Sequence, residues 1–271
     1  MIEARYVEIG GSLSYVELAG SGTPVLCVHT AGQSGVQWRY TTRELAELGY
    51  RVVVPDLPGH GRSEPAADGP VDDLGRYAEW LRALIDVLGL ERPHVVGCSI
   101  GGKIALDLAV RCGDELSGVV AMAAEAGNGS VKVSGLRREL EDVAAPSRTD
   151  RTYFGTLAVV GSSLAPEHAE LVARMHRRED PEVSTSDLIG WGTHDVGAQL
   201  PSITCPVHLV AGADDLWVRE AQVRSTADRI PDARCTVLPG IGHYPMEEID
   251  DFADVLHGWI DELASSGQTT R

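Results

Sequence analysis

The sequence predicts an α/β protein: a mostly parallel central sheet flanked by helices and interrupted by an inserted helical cap. Three observations carry this reading. Short runs rich in Val and Ile alternate with longer amphipathic stretches through the first half of the chain. The rhythm breaks between residues 127 and 195, where helical spacing persists without a Val/Ile run, and it resumes in the last third. The expected division is therefore a core of residues 1–126 and 196–271, with 127–195 as the cap insertion.

Taken in order, residues 6–9 and 13–17 alternate in polarity and are joined by Gly10-Gly11, the pattern of an antiparallel hairpin at a sheet edge. Residues 25–28, 52–55, 94–98 and 119–122 read as buried parallel strands. Between them, Tyr77, Trp80, Leu81, Leu84, Ile85 and Leu88 follow the spacing of a helix with one buried face, as do Ile104, Ala105, Leu108 and Ala109. Residues 136–143 and 166–178 are helical segments of the insertion. Strands follow at 207–211 and 235–238, a closing helix spans 252–263, and the polar end 265–271 is expected to fray.

Composition bounds the function. The 271 residues are 43% hydrophobic and 5% aromatic, enough for a sizeable core of Val, Leu, Ile and Ala. Lys and Arg number 23 against 40 Asp and Glu, a net charge of −17. A chain this acidic, without a basic cluster, repels phosphate backbones and argues against a nucleic-acid partner. The five cysteines are scattered and show no Cys-x-x-Cys spacing, which speaks against a zinc knuckle, a thioredoxin-like motif and a disulfide framework. Glu3, Arg5 and Glu8 stand where a signal peptide needs an apolar run, and no stretch approaches the ~18 apolar residues of a membrane helix. The expectation is a cytoplasmic protein with no membrane partner; a homo-oligomer is left open.

Gly97-Cys98-Ser99-Ile100-Gly101 lies between an expected strand and an expected helix. A strand-to-helix reversal with a glycine on each flank forces the serine into a tight turn and exposes its hydroxyl above the sheet. The Ile100 N–H, at the helix start, then points at any oxyanion formed at Ser99. The competing reading is a serine that only caps the helix.

With three further blocks, this turn resembles the α/β-hydrolase family, and the resemblance covers nearly the whole chain. Val28-His29-Thr30-Ala31-Gly32 is similar to the family's strand and His-Gly loop, and Asp56-Leu57-Pro58-Gly59-His60-Gly61-Arg62-Ser63 to the loop after the next strand. Gly212-Ala213-Asp214-Asp215 and Gly240-Ile241-Gly242-His243 follow the last two strands, where the family's acid and base loops belong. The resemblance implies the α/β-hydrolase fold, with Ser99 as nucleophile, His243 as base and Asp215, rather than its neighbour Asp214, as acid. It places the second oxyanion donor at the Ala31 N–H. The family usually has Gly where this chain has Thr30, whose branched side chain could narrow the hole or hydrogen-bond within it. Glu125 is a rival acid, because some relatives carry theirs after the corresponding strand; capping the insertion or touching substrate are its other expected roles. His60 is read as support for its turn, and His168, His176 and His257 as helix-surface residues.

A serine hydroxyl attacks a carbonyl only when an oriented base takes its proton. The implied function is a serine hydrolase that cleaves a carboxylic ester or lactone of a small molecule through an acyl-enzyme. Alternatives are a C–C bond hydrolase or thioesterase on the same triad, and a non-catalytic ligand-binding member of the fold. Serine rather than aspartate at position 99 argues against dehalogenase and epoxide hydrolase chemistry. No metal-ligand spacing or dinucleotide fingerprint stands in the sequence, so neither metal nor cofactor is expected. Trp38, Tyr153, Phe154, Leu157, Met175, Leu188 and Trp191 are candidate walls of an apolar pocket.

Overall fold

The computed structural model describes residues 1–142 and 147–266. Eight strands form one sheet in the order β1-β2-β4-β3-β5-β6-β7-β8. β1 (Ile2–Ile9) and β2 (Ser12–Ala19) are the antiparallel edge hairpin. Gly10 and Gly11 close it at φ 63° and 84°, the left-handed conformations that a two-residue hairpin turn demands. β2 pairs antiparallel with β4 (Tyr50–Pro55). β3 (Thr23–Val28), β4, β5 (His94–Cys98), β6 (Gly118–Met122), β7 (Val207–Gly212) and β8 (Ala233–Leu238) then run parallel. β3 lies between β4 and β5, so the direction of chain progression switches there. Parallel sheets place their sites beyond the carboxyl ends of strands at such a point.

The pleat sends alternate residues into two apolar layers. Val95, Val119 and Leu209 enter one, and Val96, Val120 and Val210 the other. α1 (Thr41–Glu47) and α10 (Phe252–Ser266) cover the second face; α2 (Leu74–Leu88), α3 (Ile100–Cys112) and α8 (Glu220–Ala227) cover the first. α2 shows how local chemistry sets the ends. Asp73 caps it by accepting the Gly75 N–H at 2.9 Å, and Gly89 stops it at φ 56°. Leu81 and Leu84 on its inner face are fully buried, so truncating either to Ala should cost about 2–5 kcal/mol.

Between β6 and β7 the chain leaves the sheet for α4 (Val133–Glu141), α5 (Arg148–Val159), α6 (Pro166–His176) and α7 (Pro181–Thr193). α5 packs on α6 and α4 on α7. α7 was not foreseen, and its burial explains why. Val183 through Asp187 and Ile189 through Trp191 are all buried, and a helix covered on most sides carries no amphipathic stripe. A single turn, α9 (Pro245–Glu248), follows the loop after β8. Val143 of the expected 136–143 helix and residues 267–271 of the polar end lie outside the described residues. Among the described residues no helix is long and apolar enough to cross a membrane.

Candidate active site

β5 ends at Cys98 and α3 begins at Ile100, leaving Ser99 alone in the turn at φ 57°, ψ −119°. A residue with a side chain holds that conformation only when its surroundings impose it. The flanking glycines show what imposes it. A Cβ on Gly97 would lie 2.1 Å from the Gly101 carbonyl oxygen, and one on Gly101 would lie 2.5 Å from the Val28 carbonyl oxygen. Strand end, turn and helix start therefore meet backbone to backbone. The Ser99 N–H donates to the Met122 carbonyl at 2.9 Å and fastens the turn to the end of β6. The hydroxyl makes no helix-capping bond and faces a cavity that His243 also lines.

The two loops expected to carry acid and base meet in the same way. A Cβ on Gly212 would lie 2.0 Å from the Gly242 carbonyl oxygen. That close approach sets Asp215 Oδ2 2.7 Å from His243 Nδ1, both side chains being buried. Asp215 Oδ1 accepts the Trp217 and Val218 N–H groups at 2.8 and 3.1 Å, which leaves Oδ2 for the imidazole. Nδ1 thus carries the proton and Nε2 keeps a lone pair. Among the described residues the Ser99 hydroxyl has no hydrogen-bond partner. Ser99 and His243 line one cavity, and catalytic hydrogen bonds often tighten only in the substrate complex.

Glu248 was not singled out from the sequence, yet it organises the histidine loop. Its Oε2 accepts the Gly161 and Gly242 N–H groups at 2.8 and 2.6 Å, and its Oε1 accepts that of Tyr244 at 2.9 Å. Burial pushes this carboxyl up, against the pull of the three N–H donors. Nothing in the sequence around Glu248 signals the role, because the donors come from backbone.

The loop after β3 is held on both sides of Ala31. The Thr30 N–H and hydroxyl donate to Gln37 Oε1 at 2.9 and 3.1 Å, so the Thr30 hydroxyl is directed to Gln37. On the other side the Gly32 N–H donates to Asp187 Oδ2 at 2.8 Å. Between them the Ala31 N–H has no protein acceptor among the described residues. Ile100 opens α3, where a backbone N–H has no partner within the helix.

Behind each anchor stands a buried acid–histidine pair. Gln37 Nε2 donates to Glu247 Oε2 at 3.0 Å, and His176 Nε2 lies 2.6 Å from the same oxygen. Asp187 Oδ2 also meets His60 Nε2 at 2.8 Å, while Tyr77 donates to its Oδ1 at 2.9 Å. His176 is therefore not a surface residue: it is 1% exposed, on the face that α6 turns toward α9. His60 does brace its turn, at 3.1 Å from the Pro58 carbonyl, but it also grips the inserted α7.

Glu125 is placed elsewhere than on the imidazole. Its carboxylate is buried, accepts no hydrogen bond among the described residues, and lies 3.7 Å from Lys103 Nζ. Burial raises its pKa and the lysine's charge opposes the rise. Lys103, likewise lowered by burial, donates to the Gly127 carbonyl at the start of the insertion.

The cavity over Ser99 has a volume of about 640 Å3. Leu188 and Trp191 line it as expected. Trp38 is instead in the core against Phe252, with ring centroids 6.2 Å apart, and Met175 lines a separate, smaller cavity. Tyr153, Phe154 and Leu157 are not among its walls, whereas Leu136, Trp217 and Tyr244 are. Helical spacing of large apolar residues does not separate core from pocket.

A mostly parallel sheet with a strained serine turn at its switch point is the architecture of an α/β hydrolase. The chain belongs to the alpha/beta hydrolase family, whose model matches residues 25–255. It is 28% identical over 274 residues to a 2-hydroxy-6-oxononadienedioate/2-hydroxy-6-oxononatrienedioate hydrolase of a Pseudomonas species, covering 96% of this chain and 95% of that one. A thermophilic esterase from Thermogutta terrifontis superposes with a TM-score of 0.84 at 26% identity, covering 97% of this chain and 99% of that chain. Est816, described as an N-acyl homoserine lactone degrading enzyme, superposes with a TM-score of 0.73 at 26% identity over 94% of this chain and all (100%) of the other.

Proposed function

We propose that this hydrolase cleaves a carboxylic ester or lactone of a small molecule through an acyl-enzyme on Ser99. One observation carries the reading: Ser99, held at φ 57°, opens on the same cavity as His243, whose Nδ1 is fixed 2.7 Å from Asp215. His243 Nε2 takes the hydroxyl proton as Ser99 Oγ bonds to the substrate carbonyl carbon. The Ala31 and Ile100 N–H groups receive the charge that forms on the carbonyl oxygen. The imidazolium then gives its proton to the leaving alkoxide, and a water activated by the same nitrogen releases the acid. Residues 127–195 act as the cap over this site. The neighbouring esterase, at 26% identity, supports ester chemistry.

A second reading is C–C bond hydrolysis on the same residues, favoured by the match to the Pseudomonas hydrolase over 96% of the chain. Turnover of small esters and lactones, set against turnover of 2-hydroxy-6-oxononadienedioate, separates the two. Ester or lactone turnover that is lost in Ser99→Ala supports the first; turnover of the dienedioate alone supports the second.

A further inference from the structure

The cavity that Ser99 lines is not uniformly apolar, and two buried polar atoms of its lining residues, Glu179 Oε2 and Arg148 Nε, lack a well-aligned hydrogen-bond partner among the described residues. Glu179, in the loop between α6 and α7, is 8% exposed and lines the cavity. Its Oε1 accepts the Thr152 hydroxyl at 2.6 Å, while Oε2 has no well-aligned hydrogen-bond donor among the described residues, the Ser184 hydroxyl lying beside the carboxylate. Oε2 also lies against the oxyanion loop, 2.6 Å from where a Cβ on Gly32 would stand. That glycine, at φ 67°, leaves room for the carboxylate next to Ala31. At the start of α5, Arg148 lines the same cavity with its side chain 16% exposed, and its buried Nε donates to nothing among the described residues. Its Nη1 makes a long ion pair with Glu139 Oε2 at 4.0 Å, Glu139 Oε1 is taken by Arg151 at 2.7 Å, and the Glu179 carboxylate also acts on the Arg148 charge.

An acceptor and a donor buried without well-aligned partners in a substrate cavity are costly, and native proteins seldom keep them without a use. Burial bears on both groups: it pushes the Glu179 carboxyl up and the Arg148 guanidinium down. A plain alkyl ester filling the cavity would strip the surrounding water from both and replace none of their hydrogen bonds. A ligand carrying a hydroxyl and a further carboxylate or carbonyl oxygen would satisfy them.

We infer that Glu179 and Arg148 are specificity-determining residues, and that the substrate is an oxygenated ester or lactone. Its hydroxyl donates to Glu179 Oε2, and its carboxylate or second carbonyl oxygen accepts from Arg148 Nε. This deepens the ester reading and rests on it. Neither residue joins the bond-breaking step; each selects the molecule presented to Ser99.

Two pairs of esters of matched shape test the inference. Ethyl 3-hydroxybutanoate differs from ethyl 3-methylbutanoate by a hydroxyl in place of a methyl group. Ethyl hydrogen succinate differs from ethyl 4-methylpentanoate by a carboxylate in place of an isopropyl group. The wild-type enzyme should prefer the polar member of each pair by at least about tenfold in kcat/KM. Glu179→Leu should abolish the hydroxyl preference and Arg148→Met the carboxylate preference, each leaving the other preference in place. Glu179→Gln and Arg148→Lys should restore part of each. A ratio measured within one variant is independent of the fraction folded. A wild type that prefers the alkyl members, or turns over neither polar ester, overturns the inference, as do preferences that survive both substitutions. Ester turnover that persists in Ser99→Ala contradicts the acyl-enzyme reading instead, while the ratios still judge the two side chains.

Discussion

Asp187 Oδ2 accepts the Gly32 N–H at 2.8 Å, across 155 residues of sequence and from the inserted helix α7 to the loop that holds Ala31. The same oxygen meets His60, and its partner Oδ1 meets Tyr77. One fully buried carboxylate thus joins the insertion, the β3 loop and α2. Because the Ala31 N–H lies beside the anchored Gly32, the seating of the insertion and the aim of the proposed oxyanion donor are mechanically linked.

Asp187→Asn keeps the size of the side chain but cannot satisfy all its donors, so the Ala31–Gly32 backbone should loosen. Losing an oxyanion donor outright costs about 10²–10³ in kcat, and misalignment should cost about 10–100-fold. KM should change little, because the cavity walls stay in place. Steady-state kinetics check this; a rise in KM at unchanged kcat would show that Asp187 shapes the cavity and not the donor.

The His60–Asp187 pair also predicts a pH dependence. Burial alone would lower the His60 pKa, but the charge and hydrogen bond of Asp187 outweigh it and hold it above the ordinary 6.5. A raised folded-state value means that the stabilisation is complete below pH 6.5 and is lost as pH rises through the raised value. The difference in Tm between wild type and Asp187→Asn should therefore be greatest near about pH 6 and shrink on the alkaline side. A difference that is constant with pH contradicts the assignment.

Asp215 and Glu125 are separated by their partners. Asp215→Asn, which removes the acceptor from Nδ1 and favours the wrong tautomer, should lower kcat by about 10³–10⁴. Glu125→Gln should leave kcat near the wild-type value and alter stability through Lys103. Near-normal turnover in Asp215→Asn, with Glu125→Gln inactive, would transfer the acid role.

Glycines test the packing of the turn. Gly10→Ala meets nothing within 4 Å but must hold φ 63°, a cost of about 1 kcal/mol. Gly101→Ala drives a Cβ to 2.5 Å from the Val28 carbonyl oxygen and should destabilise by about 3 kcal/mol or more. Urea unfolding midpoints compare the two. Equal, small losses would mean that β3 and α3 can separate at the turn without penalty.

Most of the sheet was legible in the sequence because its strands are short buried runs of Val and Ile, and His94–Cys98 matches β5 to the residue. Ser99, Asp215 and His243 were singled out because their glycine-bearing loops resemble the family's, and the structure sets His243 against Asp215 and on the cavity that Ser99 lines. What escaped reading lies where a side chain's role depends on a distant partner. Asp187 sits mid-helix among serines and threonines, and only the fold brings Gly32, His60 and Tyr77 to it. His176 carries the spacing of an exposed helical residue until α9 delivers Glu247. The pocket walls were misread for a related reason: Trp38 and Trp191 are both buried aromatics, and only one faces the cavity.

The account stands on a hydroxyl that a neighbouring imidazole makes reactive. Incubation with a fluorophosphonate, followed by peptide mass spectrometry, reads this directly. One adduct per chain on Ser99, formed much more slowly in His243→Ala, is the predicted result. Folded protein that takes up no label at Ser99, or labels equally fast without the imidazole, contradicts it.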